Sequence, residues 1–116
     1  MKARLFLSGI HAEGRHGART GEKDAPQPFV VDLDLEVEVG ADRIDDTADY
    51  RGVSERVRAI VTDGSFDLIE TMAAEIAEAC LSFEGVTRAT VVVHKPNAAT
   101  RLGIDGVAAA VTRPRE

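Results

Sequence analysis

Between Phe29 and Val39 the chain alternates with a period of two. Phe29, Val31, Leu33, Leu35, Val37 and Val39 are apolar, and the positions between them read Val30, Asp32, Asp34, Glu36 and Glu38. Successive side chains of a strand point to opposite faces, so this stretch is a strand with one dry face and one acidic face. A fold containing it must cover one side of a sheet and leave the other side wet, which points to an antiparallel, α+β arrangement.

Two further stretches carry strand patterns. Arg4 to Gly9 reads as a short strand that Ile10 to Gly14 prolongs past a bulge at Gly9, antiparallel to the acidic strand. Ala89-Thr90-Val91-Val92-Val93-His94-Lys95-Pro96 is rich in β-branched residues. Its alternation puts Lys95 in line with Ala89, Val91 and Val93, and Pro96 ends the ladder because it has no N–H to donate. A lysine beside packed apolar neighbours at a strand end can lose part of its hydration and carry protons. The ordinary alternative is a strand-end lysine that snorkels to water.

Helical spacing occupies the middle of the chain. Tyr50, Val53, Val57, Ile60 and Val61 form one apolar stripe that ends near Asp63-Gly64. Ile69, Met72, Ile76, Ala79 and Cys80 form a second, with Ser65 or Asp67 as its expected cap and Glu70 in its first turn, where the helix dipole favours an anion. Asn97 to Gly103 is expected to be a loop and Ile104 to Thr112 a last strand. The order is ββααββ, one domain over 1–116 with both helices on one face of a four-stranded sheet. The polar face and two unpaired edges remain, and unpaired edges invite copies of the same chain. A ring of sheets joined edge to edge, with the acidic face turned to a shared lumen, resolves both.

Composition narrows the function. With 44% hydrophobic and 29% charged residues the chain reads as globular, and its net charge of −6, without a run of basic residues, argues against nucleic acid and anionic membranes as partners. One cysteine excludes a disulfide within the chain, and a reducing cytoplasm is its simplest setting. No apolar run has the length of a membrane span, and Met1-Lys2-Ala3-Arg4 does not open a signal peptide. His11, His16 and His94 lack carboxylates at ligand-like intervals, so no metal site is expected, and His16 reads as a turn residue. Glu22, Tyr50, Glu70 and Lys95 are the groups that could cooperate chemically. Each also has an ordinary reading: a solvated loop acid, a packed helix-face aromatic, a dipole partner and a strand-end cation.

The succession Gly14-Arg15-His16-Gly17, Glu22, Gln27 to Leu33, Asp45 to Tyr50, Leu68 to Ala73, Val93-His94-Lys95-Pro96 and Asp105-Gly106-Val107 resembles the dihydroneopterin aldolases of folate biosynthesis along nearly the whole chain. The resemblance implies the tunnelling fold, subunits in a tetrameric ring or a stacked octamer, and active sites between neighbours. It implies that Glu70, with the Ile69 backbone, binds the aminopyrimidine edge of a pterin, and that Tyr50 of a neighbour packs on the pterin beside Ala48 and transfers protons. Lys95 and Glu22 would flank the side chain being cleaved. No cofactor is implied, because the substrate's own C=N bond accepts the electrons. The enzymatic alternative is a dihydroneopterin triphosphate epimerase, and the non-enzymatic one a silent pterin-binding or assembly subunit. The sequence departs from the family at Ala48, where valine is commoner, and at Asn97 to Leu102, which lacks the usual prolines. A looser loop is expected there, with Arg101 in reach of a phosphate on the substrate.

Overall fold

A computed structural model describes residues 1–115. Strands β1 (Lys2–Gly14) and β2 (Gln27–Glu38) precede helices α1 (Tyr50–Asp63) and α2 (Ile69–Leu81); β3 (Val86–His94), α3 (Pro96–Leu102) and β4 (Ala108–Arg113) complete the chain. The strands form one antiparallel meander in the order β1-β2-β3-β4. Register follows the apolar row of β2: Leu33 lies opposite Leu7 on one side and Val91 on the other.

Phe29, Val31, Leu33, Leu35 and Val37 are all buried, and the acids between them are not, as the alternation requires. α1 packs on β1, and α2 on β3 and β4, so both helices cover the face that carries this row. Val53, Val57, Ile60 and Val61 from α1 meet Met72, Ile76, Ala77 and Cys80 from α2 in the same core. Burial pushes the Cys80 thiol up to about 11. Among the described residues, no helix is long and apolar enough to cross a membrane.

The expected bulge is present. Pairing shifts between Leu7 and Ile10, and Gly9 takes φ 72°, a left-handed conformation that costs glycine little. Asp32 on β2 fastens it, accepting from the Gly9 N–H at 2.7 Å with Oδ1 while Oδ2 meets His94 Nε2 on β3 at 2.7 Å. The Asp32 carboxyl is held below its ordinary value, chiefly by the Gly9 amide.

Four expectations are corrected. The segment after Lys95 is no loop: Pro96 sits at the first helical position, where its missing N–H costs nothing, and buried Ala98 and Ala99 are strong helix formers. Gly103 ends this helix at φ 68°. The last strand accordingly begins at Ala108, not Ile104. The residue before α2 is Leu68, which makes no side-chain cap bond; Asp67 is taken by Lys23 at 2.7 Å instead. Tyr50 stands off the α1 stripe, 52% exposed.

Candidate active site

β3 delivers Lys95 to the point where the sheet gives way to α3. Its N–H donates to Val107 O at 2.9 Å, which fixes the backbone there. Its Nζ donates to Glu22 Oε2 at 2.8 Å, and the two side chains are only 14% and 11% exposed. The snorkelling alternative therefore does not hold: the lysine turns inward to a carboxylate. Glu22 lies on a 3₁₀ turn in the β1–β2 connection. Its Oε1 accepts from the Arg19 N–H at 3.1 Å, and Arg101 Nη2 reaches Oε2 at 3.4 Å. The Lys95 ammonium hydrogen-bonded to Glu22 holds that carboxyl below the usual range against the opposing effect of burial, with Arg19 and Arg101 adding to it. Gly17 makes room for this geometry, since a Cβ there would strike the Glu22 side chain.

These groups face an open cavity of about 750 Å³, whose other wall is the start of α2. Glu22, Lys95 and Arg101 line one side, and Leu68, Ile69 and Glu70 the other. Glu70 is exposed to it and forms no ion pair or side-chain hydrogen bond among the described residues. The cavity thus sets an unpaired carboxylate, suited to two parallel N–H donors, against a lysine–carboxylate pair suited to proton transfer. Among the described residues, no cluster of His, Cys, Asp or Glu is placed to hold a metal ion.

Tyr50 and Ala48 do not line this cavity. Both lie at the start of α1, Tyr50 exposed and Ala48 buried at 1% exposure in the core. A single chain therefore joins Glu22, Ile69, Glu70 and Lys95 and leaves the other two apart.

His16 is not a turn residue but a buried one, 2% exposed. Its Nε2 lies 2.6 Å from Val61 O, and its Nδ1 accepts from the Phe66 N–H at 3.1 Å. Its ring meets Phe29 edge-on at a centroid distance of 5.1 Å and Phe66 at 5.4 Å. Burial pushes the imidazole below its ordinary value. The flanking Gly14 and Gly17 were a sign of close packing in the sequence, because only a residue without Cβ admits neighbours this near.

A lysine–carboxylate pair across a cavity from an unpaired carboxylate, on a four-stranded meander backed by helices, has the chemistry to move protons on a small polar molecule. The family model described as dihydroneopterin aldolase (FolB) matches residues 5–112. A dihydroneopterin aldolase of Streptomyces coelicolor is 37% identical over 116 residues, covering 97% of this chain and 98% of that protein. One of Streptococcus pyogenes is 35% identical, with 81% of this chain and 83% of that protein covered. The chain belongs to the dihydroneopterin aldolase family, whose members are carbon–carbon lyases. The Burkholderia thailendensis dihydroneopterin aldolase bound to guanine is similar in structure, with TM-score 0.81, 26% identity, and 99% of this chain and 93% of that one covered. The E. coli enzyme in complex with neopterin shares the fold at TM-score 0.83 and 22% identity, covering 96% and 98% of the two chains.

Proposed function

We propose that this chain cleaves 7,8-dihydroneopterin by a retro-aldol reaction to 6-hydroxymethyl-7,8-dihydropterin and glycolaldehyde. The observation that carries the assignment of roles is the inward Lys95–Glu22 pair at 2.8 Å, across a cavity from the unpartnered Glu70. Glu70 accepts two N–H bonds from the aminopyrimidine edge, with the Ile69 backbone beside it. Lys95, as the amine, takes the proton of the 2′-hydroxyl through water. The C1′–C2′ bond breaks as glycolaldehyde forms, and its electron pair moves into the conjugated C6=N5 bond, with N5 taking up a proton. Protonation of C1′ by the Lys95 ammonium and loss of the N5 proton restore the C=N bond. No Schiff base is needed, and Glu22 stabilises the lysine whenever it is charged.

The cavity is open at its rim, where Leu68 and Leu102 are 49% and 69% exposed. Such a rim fits a site completed by a neighbouring protomer in a tetrameric ring or a stacked octamer. The partner subunit's Tyr50 would then lie on the pterin and relay protons, with the chain segment at Ala48 beside it. The direct test is incubation with 7,8-dihydroneopterin while glycolaldehyde is measured. Absence of release from a protein that binds guanine, a ring with no side chain to cleave, would leave the epimerase or a pterin-binding subunit.

One observation favours a second reading, the triphosphate epimerase. Arg101 stands on α3 at the cavity wall, and its contact with Glu22 is long at 3.4 Å, so an anionic substrate chain can draw it away. Comparing kcat/KM for dihydroneopterin and its triphosphate in wild type and Arg101→Ala separates the two. A ratio that the mutation leaves unchanged means that Arg101 reads no phosphate.

A further inference from the structure

We propose that His16 is a positioning residue that clamps the proton-transfer wall of the cavity to the ring-binding wall; this rests on the aldolase reading above. Glu22 sits in the β1–β2 connection and Glu70 in the first turn of α2, and these segments are far apart in the chain. They are joined by a reciprocal pair: the Gly17 N–H donates to Phe66 O at 2.9 Å, and the Phe66 N–H donates to His16 Nδ1 at 3.1 Å. Because Nδ1 accepts, the ring proton is on Nε2, which donates to Val61 O at 2.6 Å. Only this neutral tautomer makes both bonds, so one imidazole ties the loop at once to the end of α1 and to the linker that leads into α2.

The surroundings are built around this arrangement. The Gln27 amide donates to His16 O at 3.1 Å, and a Cβ at Gly14 would strike Val61 O and His16 Nε2. A second tie between the same walls, Lys23 to Asp67 at 2.7 Å, is exposed and so weaker. α2 is docked on β3 and β4 independently of the loop, so without His16 Glu70 keeps its place while Glu22 loses its registration against it. Losing the clamp should therefore reduce turnover and leave ring binding nearly intact.

Three variants test this with turnover, guanine affinity and amide exchange measured together. His16→Phe keeps a ring between Phe29 and Phe66 but removes both bonds. His16→Asn retains an acceptor near Nδ1 for Phe66. His16→Gln reaches Val61 O alone. His16→Phe is expected to lose on the order of tenfold to a hundredfold in kcat, the scale of a misplacement of about an ångström, while its Kd for guanine changes less than about threefold. His16→Asn should exceed His16→Gln in kcat even at an equal or lower Tm, and the Phe66 amide should stay protected from exchange in His16→Asn only. A kcat in folded His16→Phe within about twofold of wild type overturns the proposal. So does a parallel loss of kcat and guanine affinity, and so do equal kcat values for Asn and Gln. If His16→Phe does not fold, the Asn–Gln comparison decides. Wild type that releases no glycolaldehyde refutes the aldolase reading instead, and the amide exchange pattern still reports whether the clamp exists.

Discussion

Glu22 offers one oxygen to two cations, Lys95 at 2.8 Å and Arg101 at 3.4 Å, and its carboxyl is held below the ordinary range as a result. In the unfolded chain it returns to about 4.3. The pair therefore stabilises the fold above that value, and the contribution is lost as pH falls through the lower folded-state value. His16 is likewise lowered, by burial, from an unfolded value of about 6.5, so its contribution is complete above that pH and begins to fall at a higher pH than that of Glu22. Urea midpoints taken from about pH 7 to about pH 3 should show this in order: the gap between wild type and His16→Phe narrows first, and that with Glu22→Gln only below about pH 4.3. A gap with Glu22→Gln that stays constant over the whole range would mean that Glu22 is not held charged by its partners. For catalysis, Lys95→Ala should lower kcat on the order of 10²-fold or more while guanine still binds. Glu70→Ala should do the reverse, weakening pterin binding by about 2 to 5 kcal/mol, and calorimetry showing unchanged affinity would remove Glu70 from the anchor role.

At the scale of elements, α3 decides how firmly Lys95 is presented, because the helix starts at the residue after it. Gly103 closes that helix at φ 68° with open space around it, so a methyl group there meets no clash and only the backbone conformation resists it. Gly103→Ala should accordingly cost about 1 to 2 kcal/mol, read from the urea midpoint, and a neutral result would show that the helix does not depend on this stop. Regular elements were legible in the sequence where one period persisted, as in the alternation of β2 and the stripes from Val53 to Val61 and from Met72 to Cys80. α3 was hidden because it is only seven residues long: with Pro96 read as a strand stop and no room for a repeating stripe, its two buried alanines gave no periodic signal. Lys95, Glu22, Ile69 and Glu70 were legible as a set through family resemblance, not through spacing, since they come from three separate segments. The role of His16 was not legible because both partners of its imidazole are backbone atoms of residues distant in sequence; the flanking glycines signal close packing but not those partners.

For the whole molecule, the site of one protomer lacks Tyr50, and β1 and β4 are edge strands of the sheet. If rings complete the site, mixing Lys95→Ala with Tyr50→Ala subunits, each inactive alone, should restore activity. Random exchange in equal amounts leaves about a quarter of the interfaces with both side chains intact. No recovery after exchange has been verified would count against a shared site. The two unpaired edges expected of an open four-stranded sheet, here β1 and β4, are what such a ring would use.

The chain's one thiol is also a built-in clock. Cys80 is 1% exposed on the inner side of α2, the helix whose first turn carries Glu70, and its reactive thiolate form is scarce because the thiol is pushed up to about 11. An alkylating reagent reaches that sulfur only after the C-terminal part of α2 has opened from the sheet, so the labelling rate times that opening, without a dye or an engineered tag. A ligand seated on Glu70 is expected to slow that clock to the extent that it holds the whole of α2 on the sheet, whereas one bound elsewhere leaves it running.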